Sequence, residues 1–103
     1  MRSRLNAVQD WKLLASEAGY RPKELAKRCD VSLRQLERYF LERFGTTPQK
    51  WIDDLRLHDA LSRLSRRPES VKTIAYSLQY KHPSNFSLAF KRKFGVSPRK
   101  YQA

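Results

Sequence analysis

The sequence has a single cysteine, three glycines, and only 10 acidic residues against 22 lysines and arginines. Each scarcity closes a class of function. Cys29 by itself makes no internal disulfide, so a disulfide-stapled scaffold is excluded and a reducing, cytoplasmic setting is expected. No stretch approaches the roughly 18 apolar residues of a membrane span. Met1-Arg2-Ser3-Arg4-Leu5 lacks the apolar centre of a signal peptide. His58 and His82 have no second histidine or cysteine at ligand spacing, so neither a metal nor any other cofactor is expected. At 103 residues there is room for one small domain, expected over 1–103, and none for a second catalytic one. With so little glycine and no long polar tract, the chain is expected to fold throughout.

What is abundant is positive charge. The net charge is +12, and it is uneven: residues 1–60 hold 12 Lys/Arg and 9 Asp/Glu, residues 61–103 hold 10 and 1. A small domain this basic repels itself unless a polyanion neutralises it. Nucleic acid and an anionic membrane surface are the usual partners, and composition does not choose between them. A membrane surface is disfavoured by the pattern, because no helix would combine a lysine-rich face with a broad exposed apolar one.

The chain repeats itself. Phe40, Phe44, Gly45, Pro48 and Trp51 return fifty positions later as Phe90, Phe94, Gly95, Pro98 and Tyr101. Upstream, Leu25-Ala26, Cys29 and Val31 return as Ile74-Ala75, Leu78 and Tyr80 at a shift of 49, so the second copy carries one extra residue in its turn. Each copy reads as two helices around a tight turn. In the first, Pro22 opens a helix burying Leu25, Ala26 and Cys29, Asp30-Val31-Ser32 is the turn, and Ser32 caps a helix with Leu33, Leu36, Phe40 and Phe44 on one stripe, stopped by Gly45. In the second, Ser70 caps a helix with Ile74, Ala75 and Leu78 inward. The turn is Tyr80-Lys81-His82, and Pro83 opens a helix burying Phe86, Phe90 and Phe94. Trp51 and Tyr101 are expected as core plugs after each Gly-x-x-Pro. A leading helix with Val8, Trp11, Leu13, Leu14 and Ala18 should pack on the first copy and end at Gly19.

Between the copies, Thr47 caps and Pro48 opens a helix over 48–66, stopped near Arg66-Arg67-Pro68. Trp51, Ile52 and Leu55 fall on one side of it, and Leu57, Ala60, Leu61 and Leu64 on nearly the opposite side. Its length, about 28 Å at 1.5 Å per residue, is close to the about 34 Å that separates major-groove segments on one face of DNA. The expected fold is all-α, about seven helices in two helix-turn-helix subdomains, 5–47 and 67–101, bridged by the linker helix 48–66.

With the Phe/Leu stripes buried, the opposite faces meet solvent or a partner. In the first copy that face carries Arg34, Gln35, Arg38 and Glu42, with Glu37 at its edge. Arg34 and Arg38, four apart, both point one way, and a guanidinium can donate twice to guanine O6 and N7, while Glu37 can accept from cytosine N4. The plain alternative is a solvated charged surface; a helix-turn-helix on a +12 chain reverses that preference. The second copy presents Ser84, Asn85, Ser87 and Leu88, a weaker set in which Asn85 suits adenine and Leu88 a thymine methyl. Lys91, Arg92 and Lys93, together with Lys50, Lys81, Arg99 and Lys100, are expected at phosphates, which supply affinity without sequence preference.

The repeat, and above all Ile74-Ala75 through Phe86-Ser87-Leu88-Ala89-Phe90-Lys91-Arg92-Lys93-Phe94-Gly95-Val96-Ser97-Pro98, resembles the AraC/XylS transcription regulators over about residues 5–101. The resemblance implies seven helices in two helix-turn-helix subdomains, binding double-stranded DNA as a monomer across two successive major-groove segments. It further implies a nucleoid-associated regulator that contacts RNA polymerase. Carried over by position, Arg34, Glu37 and Arg38 read the first segment and Ser84, Asn85 and Leu88 the second. The sequence departs from the family at three places. Asp30 and Gln79 replace the usual turn glycines, predicting a strained or differently shaped second turn, since Gln adopts the left-handed region less readily than Asp. Leu88 stands where many members have arginine. The effector-sensing domain of the family has no counterpart in these residues; a small stand-alone member and a piece of a longer regulator both fit.

Two other readings compete: a nucleoid or architectural protein without strong sequence preference, and an enzyme using Cys29 as nucleophile. Cys29 occupies the repeat position of Leu78, which favours packing over chemistry.

Overall fold

Prolines set where four of the helices begin. The computed structural model describes residues 4–66 and 69–102. Among them a 3-10 turn, Arg4–Ala7, is followed by seven α-helices and no strand: α1 Trp11–Glu17, α2 Pro22–Arg28, α3 Leu33–Phe44, α4 Pro48–Arg66, α5 Val71–Ser77, α6 Pro83–Phe94 and α7 Pro98–Gln102. Pro22, Pro48, Pro83 and Pro98 each take the first helical position, where the missing N–H is no loss and the fixed φ is already helical. Gly45 (φ +71°) and Gly95 (φ +83°) end α3 and α6 in the left-handed region, their N–H groups donating to the Leu41 and Lys91 carbonyls. The two helix-turn-helix pairs expected from the repeat are α2–α3 and α5–α6, with α4 the long helix between them. The expected stop at Arg67-Pro68 falls outside the described residues.

The chain divides into two compact units, Met1–Asp54 and Leu55–Ala103, and the division falls inside α4. In the first unit Leu25 and Ala26 of α2, Leu36 and Phe40 of α3, and Ile52 of α4 are buried, together with Ala15, Ala18 and Leu5. Phe40 is the centre: its ring lies 4.9 Å from Trp11, 4.9 Å from Phe44 and 5.5 Å from Trp51. Burying such a side chain stabilises a small unit by about 1.5–3 kcal/mol. The 3-10 turn is tied to α3 by the Tyr39 hydroxyl, which donates to Asn6 Oδ1 at 3.0 Å, and by the buried Leu5.

Four core expectations in this unit need correction. Trp51 is half-buried rather than a core plug. Leu13 is 57% exposed, because at 100° per residue it faces nearly opposite to the buried Ala15 and Ala18. Phe44 closes the stripe of α3 yet is 37% exposed; it sits at the helix end, where Trp11 and Trp51 cover only part of the ring. Cys29 is half-buried rather than core, since it has become the cap residue after α2, and its partial burial pushes the thiol pKa up.

In the second unit Ile74, Ala75 and Leu78 pack with Phe86 and Phe90 and with Leu57, Ala60 and Leu64 of α4 in the buried set. Leu55, which periodicity groups with Trp51 and Ile52, opens this unit. Phe90 is ringed by Phe94 at 4.7 Å, Phe86 at 5.9 Å and Tyr101 at 6.1 Å. Tyr101 is no core plug: it is 42% exposed, with its hydroxyl 3.0 Å from Ser65 Oγ, in a short helix that ends one residue later. Arg63 reaches from α4 to Glu69 with two parallel hydrogen bonds, one of 3.0 Å from Nε, and to Ser77 of α5. That forked pairing anchors the segment before α5, and the Gln102 amide adds a bond to the Glu69 carbonyl.

Both turns have one shape. Asp30 (φ +56°) and Gln79 (φ +69°) each take the left-handed position after the cap residue. The next N–H, of Val31 or of Tyr80, donates back to the Ala26 or Ala75 carbonyl at 3.1 and 3.0 Å. The second turn therefore opens in the shape of the first, with Gln79 strained, and takes up its one extra residue before Pro83.

Candidate nucleic-acid interface

Helix α3 is locked at its start. Ser32 Oγ accepts from the Gln35 N–H at 3.1 Å while Gln35 Oε1 accepts from the Ser32 N–H at 2.8 Å, a reciprocal capping box. With Leu36 and Phe40 buried behind it, the helix turns Arg34, Gln35, Glu37 and Arg38 outward, all exposed. Gln35 has two tasks in consequence: its carbonyl oxygen is committed to the cap, and its amide N–H₂ remains able to donate outward. Tyr39, beside Arg38, points to the 3-10 turn instead.

Helix α6 starts differently. Its cap residue, His82, makes no side-chain bond to the helix; the His82 carbonyl takes the Asn85 and Phe86 N–H groups, and Pro83 fixes the first turn. Phe86 and Phe90 face inward, leaving Ser84, Asn85 and Leu88 exposed, Leu88 to 52%, and Ser87 half-buried. Lys91, Arg92 and Lys93 are all exposed in the last turn, where they also complement the negative end of the helix dipole.

The remaining cations flank helix starts or the turn. Lys50 is exposed in the first turn of α4, its N–H donating to Thr47 Oγ1 at 3.2 Å. Arg99 and Lys100 are exposed on α7, where the Lys100 N–H donates to Ser97 Oγ at 3.1 Å, and Lys81 is exposed just before α6. The candidate residues thus form two sets, one in each unit: Arg34, Gln35, Glu37, Arg38 and Lys50, and Lys81, Ser84, Asn85, Leu88, Lys91, Arg92, Lys93, Arg99 and Lys100.

Sequence reasoning passed over the outer side of α2, where Lys23, Lys27 and Arg28 are exposed. The signal was present, since the first helix of a helix-turn-helix crosses the DNA backbone. It also passed over Arg56 and Arg63, whose inward orientation has no local signature. Among the described residues no group of His, Cys, Asp and Glu could hold a metal ion, and no helix is long and apolar enough to cross a membrane.

Comparison with known proteins identifies the family. The helix-turn-helix domain family matches residues 25–103. The transcriptional activator RhaS of Yersinia pestis is 40% identical over 97 residues, 93% of this chain and 35% of that protein. RhaS of Escherichia fergusonii is 40% identical over 75 residues, 73% of this chain and 27% of that protein. The chain therefore spans about a third of the length of these relatives. Among solved structures, a transcriptional regulator of Chromobacterium violaceum described as containing an AraC-type DNA-binding domain superposes with a TM-score of 0.74 at 27% identity, covering 86% of this chain and 85% of that one. The C-terminal domain of the response regulator AraT of Geobacillus stearothermophilus superposes at 0.79 with 25% identity, covering 98% and 80%. These relatives are regulators and not enzymes, which removes the nucleophile reading of Cys29. The chain belongs to the AraC/XylS-type helix-turn-helix family of transcription regulators.

Proposed function

We propose that this chain binds double-stranded DNA sequence-specifically and regulates transcription, reading one major-groove segment with α3 and another with α6. The observation that carries the proposal is the outward face of α3: Arg34 and Arg38 exposed side by side on a helix whose back is sealed by Leu36 and Phe40 and whose start is fixed by a capping box. A guanidinium held on a rigid helix discriminates a base by about 1–3 kcal/mol. Glu37 and the Gln35 amide add an acceptor and a donor. Ser84, Asn85 and Leu88 form the weaker reader. Lys50, Lys81, Lys91, Arg92, Lys93, Arg99 and Lys100 engage phosphates, joined by Lys23, Lys27 and Arg28 of α2, and account for most of the affinity. The chain acts as a monomer on its site, in the cytoplasm on the nucleoid. The naming of the RhaS relatives as activators supports contact with RNA polymerase.

Selection of bound duplexes from a random library tests this. The expected result is two short preferred blocks about 10 base pairs apart, the block read by α3 sharper and containing G, with at least about a thousandfold preference over random DNA. A library that emerges unenriched would replace the proposal with non-specific, architectural binding.

A further inference from the structure

We infer that Arg56 is a positioning residue for the second reader: it clamps the strained turn between α5 and α6 and so sets how α6 is presented to DNA. The two turns open with the same backbone shape but not with the same residue type. Asp, at position 30, is a residue type that enters the left-handed region at modest cost, because a short polar side chain can bond to nearby backbone; Gln, at position 79, is not such a type, and φ is +69° there. A non-glycine residue persists in that region when surrounding contacts over-determine it. Besides the turn's own backbone bonds, from the Gln79 N–H to the Tyr76 carbonyl and from the Tyr80 N–H to the Ala75 carbonyl, both neighbours of Gln79 are held by Arg56 of α4, a residue 22 positions before Leu78.

The Arg56 guanidinium carbon lies 4.3 Å from the centre of the Tyr80 ring, within cation–π range. Its Nη1 donates to the Leu78 carbonyl at 3.5 Å, a long bond, but one that places a cation at the negative end of α5. Leu78 and Tyr80 are the two neighbours of Gln79, so one side chain grips the strained residue from both sides. Tyr80 in turn packs at 5.2 Å on Phe86, fully buried in the first turns of α6 next to Asn85. A continuous path, Arg56 to Tyr80 to Phe86, therefore leads from α4 to the part of α6 that carries Ser84 and Asn85.

The inference rests on the proposed reading of DNA by α6, and the test separates the two. Four proteins are compared: wild type, Arg56→Ala, Gln79→Gly and the double variant. Each is measured for thermal stability and for affinity to two duplexes, the selected site and the same site with the second block scrambled. Arg56→Ala is expected to weaken binding to the selected site by about tenfold and to the scrambled duplex by less than about twofold. Gln79→Gly, which removes the strain, is expected to raise Tm by about 4 °C and, in the double variant, to restore most of the lost affinity. Arg56→Lys keeps the charge but not the flat face, should fall between wild type and alanine, and takes the place of Arg56→Ala if that variant does not fold. A double variant as weak as the single one, or an equal loss on both duplexes, overturns the clamp. If wild-type protein does not distinguish the two duplexes, the reading by α6 fails instead, and the Tm values decide the clamp: a smaller Arg56→Ala loss in the Gln79→Gly background upholds it, and additive losses reject it.

Discussion

The two helix-turn-helix units of this chain share their core plan and differ on their surfaces. Phe40 and Phe90 are both completely buried at matching positions, and α3 and α6 have the same length of 12 residues. The first unit mixes acidic and basic groups and starts its reader with a capping box; residues 61–103 hold ten cations against one acid, and the second reader starts on Pro83 without a side-chain cap. Arginines point outward from α3 in the first unit. In the second, Arg56 and Arg63 turn inward to hold α5 and its flanking segments. If α3 and α6 read DNA as proposed, the duplicated scaffold divides its labour: discrimination falls where rigid, multidentate side chains face out, and sequence-independent attraction where lysines crowd a helix end.

The largest test of this comparison is the core. Phe40→Ala and Phe90→Ala should each cost about 3–5 kcal/mol. Both tryptophans, Trp11 and Trp51, lie in the first unit, so tryptophan fluorescence during denaturant unfolding should report Phe40→Ala strongly and Phe90→Ala weakly, while far-ultraviolet circular dichroism reports both. Equal fluorescence shifts would show that the units melt as one. Next comes salt. If about six phosphates are neutralised, raising salt from 50 to 200 mM should weaken binding roughly a thousandfold. Removing two of Lys91, Arg92 and Lys93 should flatten that slope more than removing Lys50.

Arg38→Ala should cost about 1–3 kcal/mol on the selected site and blur the first block, whereas Lys93→Ala should weaken all duplexes alike. Equal losses on specific and random DNA for both variants would erase the division of labour. A smaller effect is expected from the caps: Ser32→Ala should cost about 1 kcal/mol, and His82→Ala little, as chemical denaturation would show. The smallest concerns Cys29. Burial raises its thiol pKa, so the folded thiol holds its proton more tightly than the unfolded one. Its contribution to stability is complete below the ordinary thiol range and fades as pH climbs through it. Thiol labelling at neutral pH should be slower in the native protein than in the denatured one.

The repeat, the helix order and the outward faces of α3 and α6 were legible in the residues because they depend on local chemistry. Ser32, Thr47 and Ser70 cap where they stand, prolines open helices, Gly45 and Gly95 close them, and spacings of three and four select a face. The left-handed geometry at Asp30 and Gln79 followed from the missing turn glycines. Phe44, Tyr101 and Cys29 were misplaced because an apolar residue near a helix end has no partner guaranteed by its own helix, and Leu13 because it lies on the outer side of α1.

By itself, then, the sequence determined the fold class, the duplication, the helix starts at Pro22, Leu33, Pro48 and Pro83 and the sign of the partner's charge, each a property of neighbouring residues or of composition; it did not place α1, which runs Trp11–Glu17, leaves Val8 outside and ends before Gly19. Only the tertiary structure decided which apolar side chains stay half in water, that Gln35 spends its carbonyl oxygen on the cap, and that Arg56 and Arg63 turn away from solvent toward Tyr80 and Glu69. The physical reason is distance along the chain: burial and ion pairing are settled by groups that folding brings together, and no local pattern marks an arginine whose partner lies a turn or a helix away.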